Sequence, residues 1–208
     1  MIWPDSGFKI GSIPELTWRN LLTRINTEFA HDYDSGRFRD YSVLTFFPKL
    51  AASAEMRAYG NELARLFELP VALQCSGGQI ALRLPATTIE TQGWHIDDVP
   101  HPGNGAVDGM PRCEAILGIY LSEVKTTDGA LQFYPGSYLQ IESFAKERGW
   151  NVLRRGVLPK LMGEPQPLFG PPGTAILFHP YTVHRAMANH SSHIRYALYF
   201  RYYDKAKP

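Results

Sequence analysis

Two segments in the first third of the chain carry apolar residues at the spacing of an amphipathic helix. The first follows Pro14, which suits the first turn of a helix, and the second follows Ser53, an N-cap residue, and stops before Pro70. The apolar face of the first would be formed by Leu16, Leu21, Leu22, Ile25 and Phe29. The apolar face of the second would be formed by Met56, Tyr59, Leu63, Leu66 and Phe67. The pattern therefore predicts two helices that pack against a sheet.

From about residue 71 the pattern changes to short runs of β-branched, aromatic and apolar residues. Turn-forming Gly, Pro, Asn or Asp residues separate several of these runs. The runs cover residues 79–84, 114–121, 131–134, 174–178 and 196–203. Many short strands with turn signals predict a jelly-roll barrel. We expect one mainly β domain with flanking helices (α+β) over residues 1–208. It would have a mainly helical N-terminal flank at 1–70 and a double-stranded β-helix, cupin-like core at 71–208.

The composition is that of an ordinary globular protein, with 208 residues, 44% hydrophobic and 20% charged. The net charge of +1 and the scattered arginines give no sign of a nucleic-acid surface. We find no signal peptide and no apolar run of the ~18–20 residues that a membrane span needs. We therefore expect a cytoplasmic protein that has a small-molecule substrate and no nucleic-acid, membrane or clear protein partner. Cys75 and Cys113 are predicted to be buried, reduced thiols.

The segment His95-Ile96-Asp97 is the strongest candidate for chemistry in the chain. Residues two apart on a strand point to the same face, so one imidazole and one carboxylate could bind one metal ion. His184, on a neighbouring strand, would complete a set of two histidines and one carboxylate. That set leaves metal positions open and is typical of non-haem Fe(II) oxygenases. Arg195 offers a planar fork suited to a carboxylate, which suggests that the enzyme uses a 2-oxo acid.

In the order of these motifs the chain resembles the phytanoyl-CoA dioxygenase family of Fe(II)- and 2-oxoglutarate-dependent oxygenases. The resemblance covers roughly residues 75–203 and rests on 94–97, 129–138 and 173–184, followed by Asn189, Ser191 and Arg195. Three positions depart from the family pattern. Tyr138 stands where His is usual, Thr174 where Asp is common, and Ala186 where a small hydroxyl residue often helps to hold the cosubstrate.

The resemblance implies a set of roles for particular residues. His95, Asp97 and His184 would bind Fe(II), to which 2-oxoglutarate and O2 would be added as cosubstrates. Arg195 would hold the distal carboxylate of 2-oxoglutarate, with Ser191, Gln79 and Thr88 as further contacts. The reaction would release succinate and CO2 and hydroxylate a small organic molecule, such as a natural-product intermediate or an amino-acid derivative. Asp97 argues against halogenation, because related halogenases have a small residue in its place.

Other functions stay open at this point. The same oxidative chemistry can end in desaturation, cyclisation or epimerisation, because the outcome depends on where the substrate lies relative to iron. Ala186 and Thr174 favour a second alternative, a cupin-like protein that binds metal or ligand without turnover. A zinc hydrolase, with Asp98 as the general base, is a third alternative. It would leave Arg195 without a role.

Several polar residues have competing interpretations. His179 is an alternative metal ligand to His184, and Asp98 is a candidate to fix a loop or to orient a ligand. The breaker-rich loop Pro100–Gly109, which contains His101, is a candidate lid at the mouth of the barrel. Arg83 and Arg112 are candidates for substrate recognition. For Arg83 we prefer an outward-facing position, because Ile80, Leu82 and Leu84 alternate with it and would face inward.

Overall fold

Eight strands and five helices make up the part of the chain that the computed structural model describes, which is residues 3–34, 47–85, 92–97, 113–204 and 206. In chain order they are β1 (Phe8–Ser12), α1 (Glu15–Asp34), α2 (Pro48–Ala51), α3 (Ala54–Leu66), β2 (Leu73–Arg83), β3 (Cys113–Tyr120), β4 (Leu131–Phe133), α4 (Ser137–Arg148), α5 (Trp150–Arg154), β5 (Gln166–Leu168), β6 (Thr174–Phe178), β7 (His184–Ala186) and β8 (Arg195–Asp204). No helix in these ranges is long and apolar enough to span a membrane.

The two predicted helices are confirmed as α1 and α3. Leu21 and Ile25 of α1 are fully buried, while Leu16 is 72% exposed and lies on the solvent side. Helix α3 begins after Ser53, whose Oγ accepts a hydrogen bond of 3.1 Å from the backbone N–H of Met56. This bond satisfies one of the N–H groups that a helix leaves unpaired in its first turn.

Two antiparallel sheets face each other across an apolar layer. The larger sheet has the strand order β1-β6-β3-β8-β2, and the smaller has the order β5-β4-β7. The side chains between them include Ile116, Ile176 and Phe178 of the larger sheet and Leu131 and Phe133 of the smaller. This mixture of helices and mostly antiparallel sheets confirms the predicted α+β class.

One buried hydroxyl ties the two sheets together. Tyr120 Oη donates a hydrogen bond of 3.0 Å to the carbonyl of Leu168 and accepts one of 2.8 Å from the backbone N–H of Leu131. Tyr120 belongs to β3 of the larger sheet, and its two partners belong to β5 and β4 of the smaller. The hydroxyl therefore satisfies two backbone groups that lie inside the apolar layer.

At β2 the larger sheet is covered on both faces, and this overturns one prediction. Ile80 and Leu82 of β2 pack in one cluster with Leu21 and Met56 of the helices, so the apolar face of the strand points to the helices. Arg83 lies on the other face, between the sheets, where its Nη2 donates a hydrogen bond of 3.0 Å to Ala186 O of β7. The predicted outward position of Arg83 was wrong, because alternation separates two faces without telling which one the helices cover.

Four of the elements were absent from our predictions. Strand β1 lies in the flank expected to be helical, and it pairs with β6 from Phe8↔Phe178 to Ser12↔Thr174. Helix α4 follows Gly136, whose φ of 70° is a left-handed conformation that glycine adopts freely. Helix α5 and strand β5 lie in the stretch between α4 and β6, where no element was predicted. Cys75 and Cys113 are buried thiols that form no disulfide with each other, as predicted.

Replacing Tyr120 with Phe should destabilise the protein. The substitution leaves the buried N–H of Leu131 without its partner, which costs about 1–3 kcal/mol in the free energy of unfolding. Urea titration followed by circular dichroism would measure the loss. Tyr59→Phe, a change in a half-buried tyrosine of α3, serves as the matched control. An equal loss in the two variants would contradict the role assigned to the Tyr120 hydroxyl.

Candidate metal and carboxylate site

The segment 92–97 runs beside β7 and brings two histidines face to face. His95 and His184 form an antiparallel bridge in which each backbone N–H donates to the other residue's carbonyl, at 3.0 and 2.9 Å. The backbone N–H of Asp97 then donates a bond of 3.1 Å to the carbonyl of Pro180. These bonds fix the backbone at both residues of the predicted His-x-Asp motif.

The side chains of His95, Asp97 and His184 converge on one point. One possible ligand atom from each of the three residues lies within 4.8 Å of the other two. His184 Nε2 is 4.0 Å from Asp97 Oδ2, and the two imidazole rings are 4.4 Å apart between centroids. The structure thus brings together the three residues that the sequence singled out. Two imidazoles and one carboxylate are a donor set that suits Fe(II) with open coordination positions.

Backbone carbonyls orient both imidazole rings for metal binding. His95 Nδ1 lies 2.9 Å from Gly93 O, and His184 Nδ1 lies 2.9 Å from Thr182 O. A carbonyl only accepts hydrogen bonds, so each Nδ1 carries the proton and each Nε2 keeps a free lone pair. Burial, and then the neighbouring His95, lower the pKa of His184 to about 4. His184 is therefore neutral near pH 7, as a metal ligand has to be.

Arg201 of β8, which our sequence reasoning missed, binds the carboxylate of the motif. Its Nη2 donates a hydrogen bond of 2.8 Å to Asp97 Oδ2, and its Nη1 donates one of 2.7 Å to Gln79 Oε1. Burial alone would raise the pKa of Asp97, but the Arg201 guanidinium and the two histidines hold it below its ordinary value. Gln79, predicted as a cosubstrate contact, thus holds Arg201 in place. The available signal was period-two spacing, which puts residues 195 and 201 on one face of β8.

Arg195 is a buried cation with free donors. It is 3% exposed, and its Nε and Nη1 atoms have no hydrogen-bond partner in the described part of the chain. Its guanidinium carbon lies 6.0 Å from the centroid of the Tyr120 ring. An unpaired buried guanidinium is costly, whereas a carboxylate in the same place would satisfy its donors in pairs.

Arg83 adds a second cation beside Arg195. The two residues are direct partners in the register of β2 and β8. Burial, and then the charge of Arg195, lower the pKa of Arg83 from its ordinary value. Two like charges that are held this close in a buried place favour an anionic ligand between or beside them.

The remaining predicted contacts have other positions. Ser191 lies in the turn before β8, where its hydroxyl donates a hydrogen bond of 2.8 Å to Asn189 Oδ1. Asn189 is buried and donates through Nδ2 to the carbonyls of Arg83 and His193, at 2.8 and 2.7 Å. These bonds hold the turn against the end of β2. The predictions for Thr88, Asp98, His101, Arg112 and the loop Pro100–Gly109 lie outside the described residues.

His179, the alternative ligand, belongs to an aromatic cluster away from the triad. Its ring lies 4.7 Å from Tyr138 and 5.5 Å from Trp3, between centroids. Its Nδ1 accepts a hydrogen bond of 3.0 Å from the backbone N–H of Tyr181. Among the described residues, the histidine grouped with His95 and Asp97 is His184.

The buried ring of His179 should make stability depend on pH. Burial lowers its pKa from 6.5 to about 4, so between these values the unfolded chain binds the proton first. The contribution of His179 to stability is therefore complete above pH 6.5 and is lost as the pH falls towards 4. His179→Gln should reduce the slope of the unfolding free energy against pH in that window. The reduction should be at most the slope that one bound proton contributes. Urea titrations across the window would measure it, and an unchanged slope would contradict the assignment.

Comparison with solved structures places this arrangement among known folds. AviO1 from Streptomyces viridochromogenes Tue57 is 17% identical, with a TM-score of 0.62, and the match covers 98% of this chain and 92% of that one. The non-heme alpha ketoglutarate dependent epimerase SnoN from nogalamycin biosynthesis is 17% identical, with a TM-score of 0.65 over 96% of this chain and 79% of that one. EctD from S. alaskensis, solved with 2-oxoglutarate and 5-hydroxyectoine, is 19% identical, with a TM-score of 0.63 over 96% and 72%. At these identities the likeness shows the fold.

Comparison at the level of sequence families gives a match to one family model. The model described as phytanoyl-CoA dioxygenase (PhyH) matches residues 48–197, which is well over half of the chain. The match spans α2 to β8 and includes the triad and Arg195. No curated protein sequence matches the chain.

Proposed function

We propose, because the chain belongs to the phytanoyl-CoA dioxygenase family, that it is an Fe(II)- and 2-oxoglutarate-dependent dioxygenase that acts on a small organic molecule. The observation that carries the proposal is the buried guanidinium of Arg195, with two unpaired nitrogen atoms, in the same inter-sheet space as the His95, Asp97 and His184 group. A metal triad alone would fit several reactions. A triad together with a carboxylate anchor fits an enzyme that uses a 2-oxo acid.

His95 and His184 would hold the iron through Nε2 and Asp97 through its carboxylate. When bound, the iron supplies the activation of O2 that converts 2-oxoglutarate into succinate and CO2 and oxidises the substrate. The protein's part is to fix three ligands on one side of the metal and to leave the other side free. The carbonyls of Gly93 and Thr182 set the two rings, and Arg201 sets the carboxylate.

Arg195 would bind the distal carboxylate of 2-oxoglutarate through two parallel hydrogen bonds. A guanidinium fork matches a carboxylate in this way, whereas a lysine ammonium does not. Arg83 would place a second positive charge beside the same carboxylate. It lies next to Ala186, the position where a hydroxyl residue often holds the cosubstrate in this family. Ser191 is hydrogen-bonded to Asn189, and Gln79 is hydrogen-bonded to Arg201. These two residues would therefore position their partners around the site. Thr88 stays a prediction.

Hydroxylation is the outcome that we propose. Structures similar to this chain include a carbocyclase and an epimerase, both described as alpha ketoglutarate dependent, besides ones described as a non-heme monooxygenase. Cyclisation, epimerisation and desaturation therefore remain the alternatives within one chemistry. A zinc hydrolase would leave the paired cations Arg83 and Arg195 without a role, so we do not favour it. The substrate would be a natural-product intermediate or an amino-acid derivative.

The loss of the guanidinium fork should weaken cosubstrate binding. Arg195→Lys keeps the positive charge but cannot form the paired bonds, so the affinity for 2-oxoglutarate should fall by about 10–100-fold. Isothermal titration of the Mn(II)-loaded protein would measure this without turnover. Arg155→Lys changes an exposed arginine and should leave the affinity unchanged. Equal affinities for the Arg195→Lys variant and wild type would show that Arg195 does not bind 2-oxoglutarate.

Turnover without substrate separates an enzyme from a protein that only binds metal or ligand. With Fe(II), O2 and 2-oxoglutarate, the wild-type protein should slowly form succinate, and His184→Ala should form none because it lacks one of the three metal ligands. Chromatography of the acid products would measure succinate. If iron-loaded wild type forms no more succinate than His184→Ala, the chain is a binding protein of the cupin-like kind.

A further inference from the structure

We propose that a small cavity beside Arg201 is the substrate site and that the substrate carries a carboxylate, which Arg201 binds. The proposal rests on the proposed function, because it takes Asp97 as a metal ligand. The cavity has a volume of about 260 Å³ and is lined by Pro48, Ala51 and Ala52, by residues 76–78 of β2, and by Arg201.

The cavity exists because β2 is irregular at this point. The register between β2 and β8 shifts between Cys75 and Gly78, so the strand bulges towards α2. Gly77 has a φ of 151°, and a Cβ on it would lie 2.8 Å from the carbonyl oxygen of Ala51. A Cβ on Gly78 would lie 2.9 Å from Leu198 Cδ1, in the core on the helix side. The two glycines therefore let the bulged strand run close to α2 and to the core, and the cavity lies beside the bulge.

Arg201 connects this space with the metal ligands. One of its nitrogen atoms binds Asp97 Oδ2 at 2.8 Å and another binds Gln79 Oε1 at 2.7 Å. A guanidinium has five N–H donors, so donors remain beyond these two bonds. Its side chain is 26% exposed, and it forms part of the cavity wall. A ligand that binds these donors would lie next to the carboxylate that holds the metal.

The charges of the site favour an anionic ligand. Three guanidinium groups, those of Arg83, Arg195 and Arg201, lie on the inner faces of β2 and β8. In the described part of the chain, Asp97 is the only carboxylate paired with any of them. A divalent metal ion and the dianion of 2-oxoglutarate would cancel each other, which leaves an excess of two positive charges. A substrate carboxylate on Arg201 would reduce that excess in a place where water screens little.

The two ends of β8 would then have separate tasks. Arg195 and Arg201 are six residues apart on one face, which is ~20 Å along the strand. Arg195 would take the distal carboxylate of 2-oxoglutarate at one end, and Arg201 the substrate at the other, with the metal between them. The cavity volume lies below the ~300–1,000 Å³ of sites for drug-sized ligands, so the substrate should be small.

The test uses ligand-observed NMR on full-length protein loaded with Mn(II) and saturated with 2-oxoglutarate. The probes are amino acids, N-acyl amino acids and aryl or alkyl carboxylic acids of suitable size, each beside its primary amide. Mn(II) broadens the signals of a ligand bound close to the metal, and Zn(II)-loaded protein is the diamagnetic reference. We expect at least one acid to be broadened, with its amide bound about tenfold more weakly.

Cavity-filling variants locate the binding site without touching Arg201, which also holds Asp97. Ser76→Leu and Ala52→Leu should abolish the broadening, while 2-oxoglutarate still binds to both. Gln74→Leu, an exposed residue of the same strand outside the cavity, should behave as wild type.

Three results would overturn the proposal: binding of no acid, equal binding of acids and amides, or broadening that persists in both filled variants. A failure of 2-oxoglutarate to bind to the Mn(II)-loaded wild type would instead overturn the proposed function. Measuring 2-oxoglutarate binding before the acid probes therefore shows whether the proposed function or the proposed substrate site has failed.

Discussion

The burial of positive charge between the two sheets is the constraint on which the site depends. Strand β8 alternates strictly, with Leu198, Phe200 and Tyr202 packed against the helices and Arg195 and Arg201 turned to the space between the sheets. The apolar face stabilises the strand in the core, which holds the arginines where water cannot solvate them fully. Each cation must then find a partner. Arg201 has Asp97, while Arg195 keeps donors for a ligand.

The buried cations also arrange the parts of the site along strand β8. The metal group lies where segment 92–97 meets β7, and Arg201 joins that group to β8. In our proposal, the cosubstrate extends from the metal towards Arg195 and Arg83, and the substrate approaches from the cavity at the β2 bulge. The fold therefore supplies three neighbouring places for metal, cosubstrate and substrate. Most of the polar contacts come from residues of β2, β7 and β8.

The three candidate metal ligands could be identified from the sequence alone. The two-residue spacing of His95 and Asp97 sets both side chains on one face, whatever the rest of the fold does. Arg195 was recognisable because its planar fork suits a carboxylate and because it follows His184, Asn189 and Ser191 in the order of the family's motifs. The helices α1 and α3 were equally clear, since Pro14 and Ser53 mark their starts.

Other features depended on contacts that no local pattern encodes. The position of Arg83 was mispredicted because the apolar face of β2 is covered by helices from a distant part of the chain. Arg201 was missed because its partners, Gln79 and Asp97, are more than a hundred residues away. Helix α4 and strand β1 were missed for a related reason. Helix α4 is held by the long-range packing of Tyr138, Ile141 and Ala145, and β1 is held by its pairing with the distant strand β6. Neither segment has a strongly periodic local pattern.

The proposed function requires one site that binds Fe(II) and 2-oxoglutarate together, with His184 as a metal ligand. Anaerobic titration of the Fe(II)-loaded protein with 2-oxoglutarate, followed by visible absorption, measures this joint binding. We expect a weak charge-transfer band in the wild-type protein and none in His184→Ala. A wild-type protein with verified iron occupancy that shows no band, or a His184→Ala variant that keeps it, would contradict the proposed site.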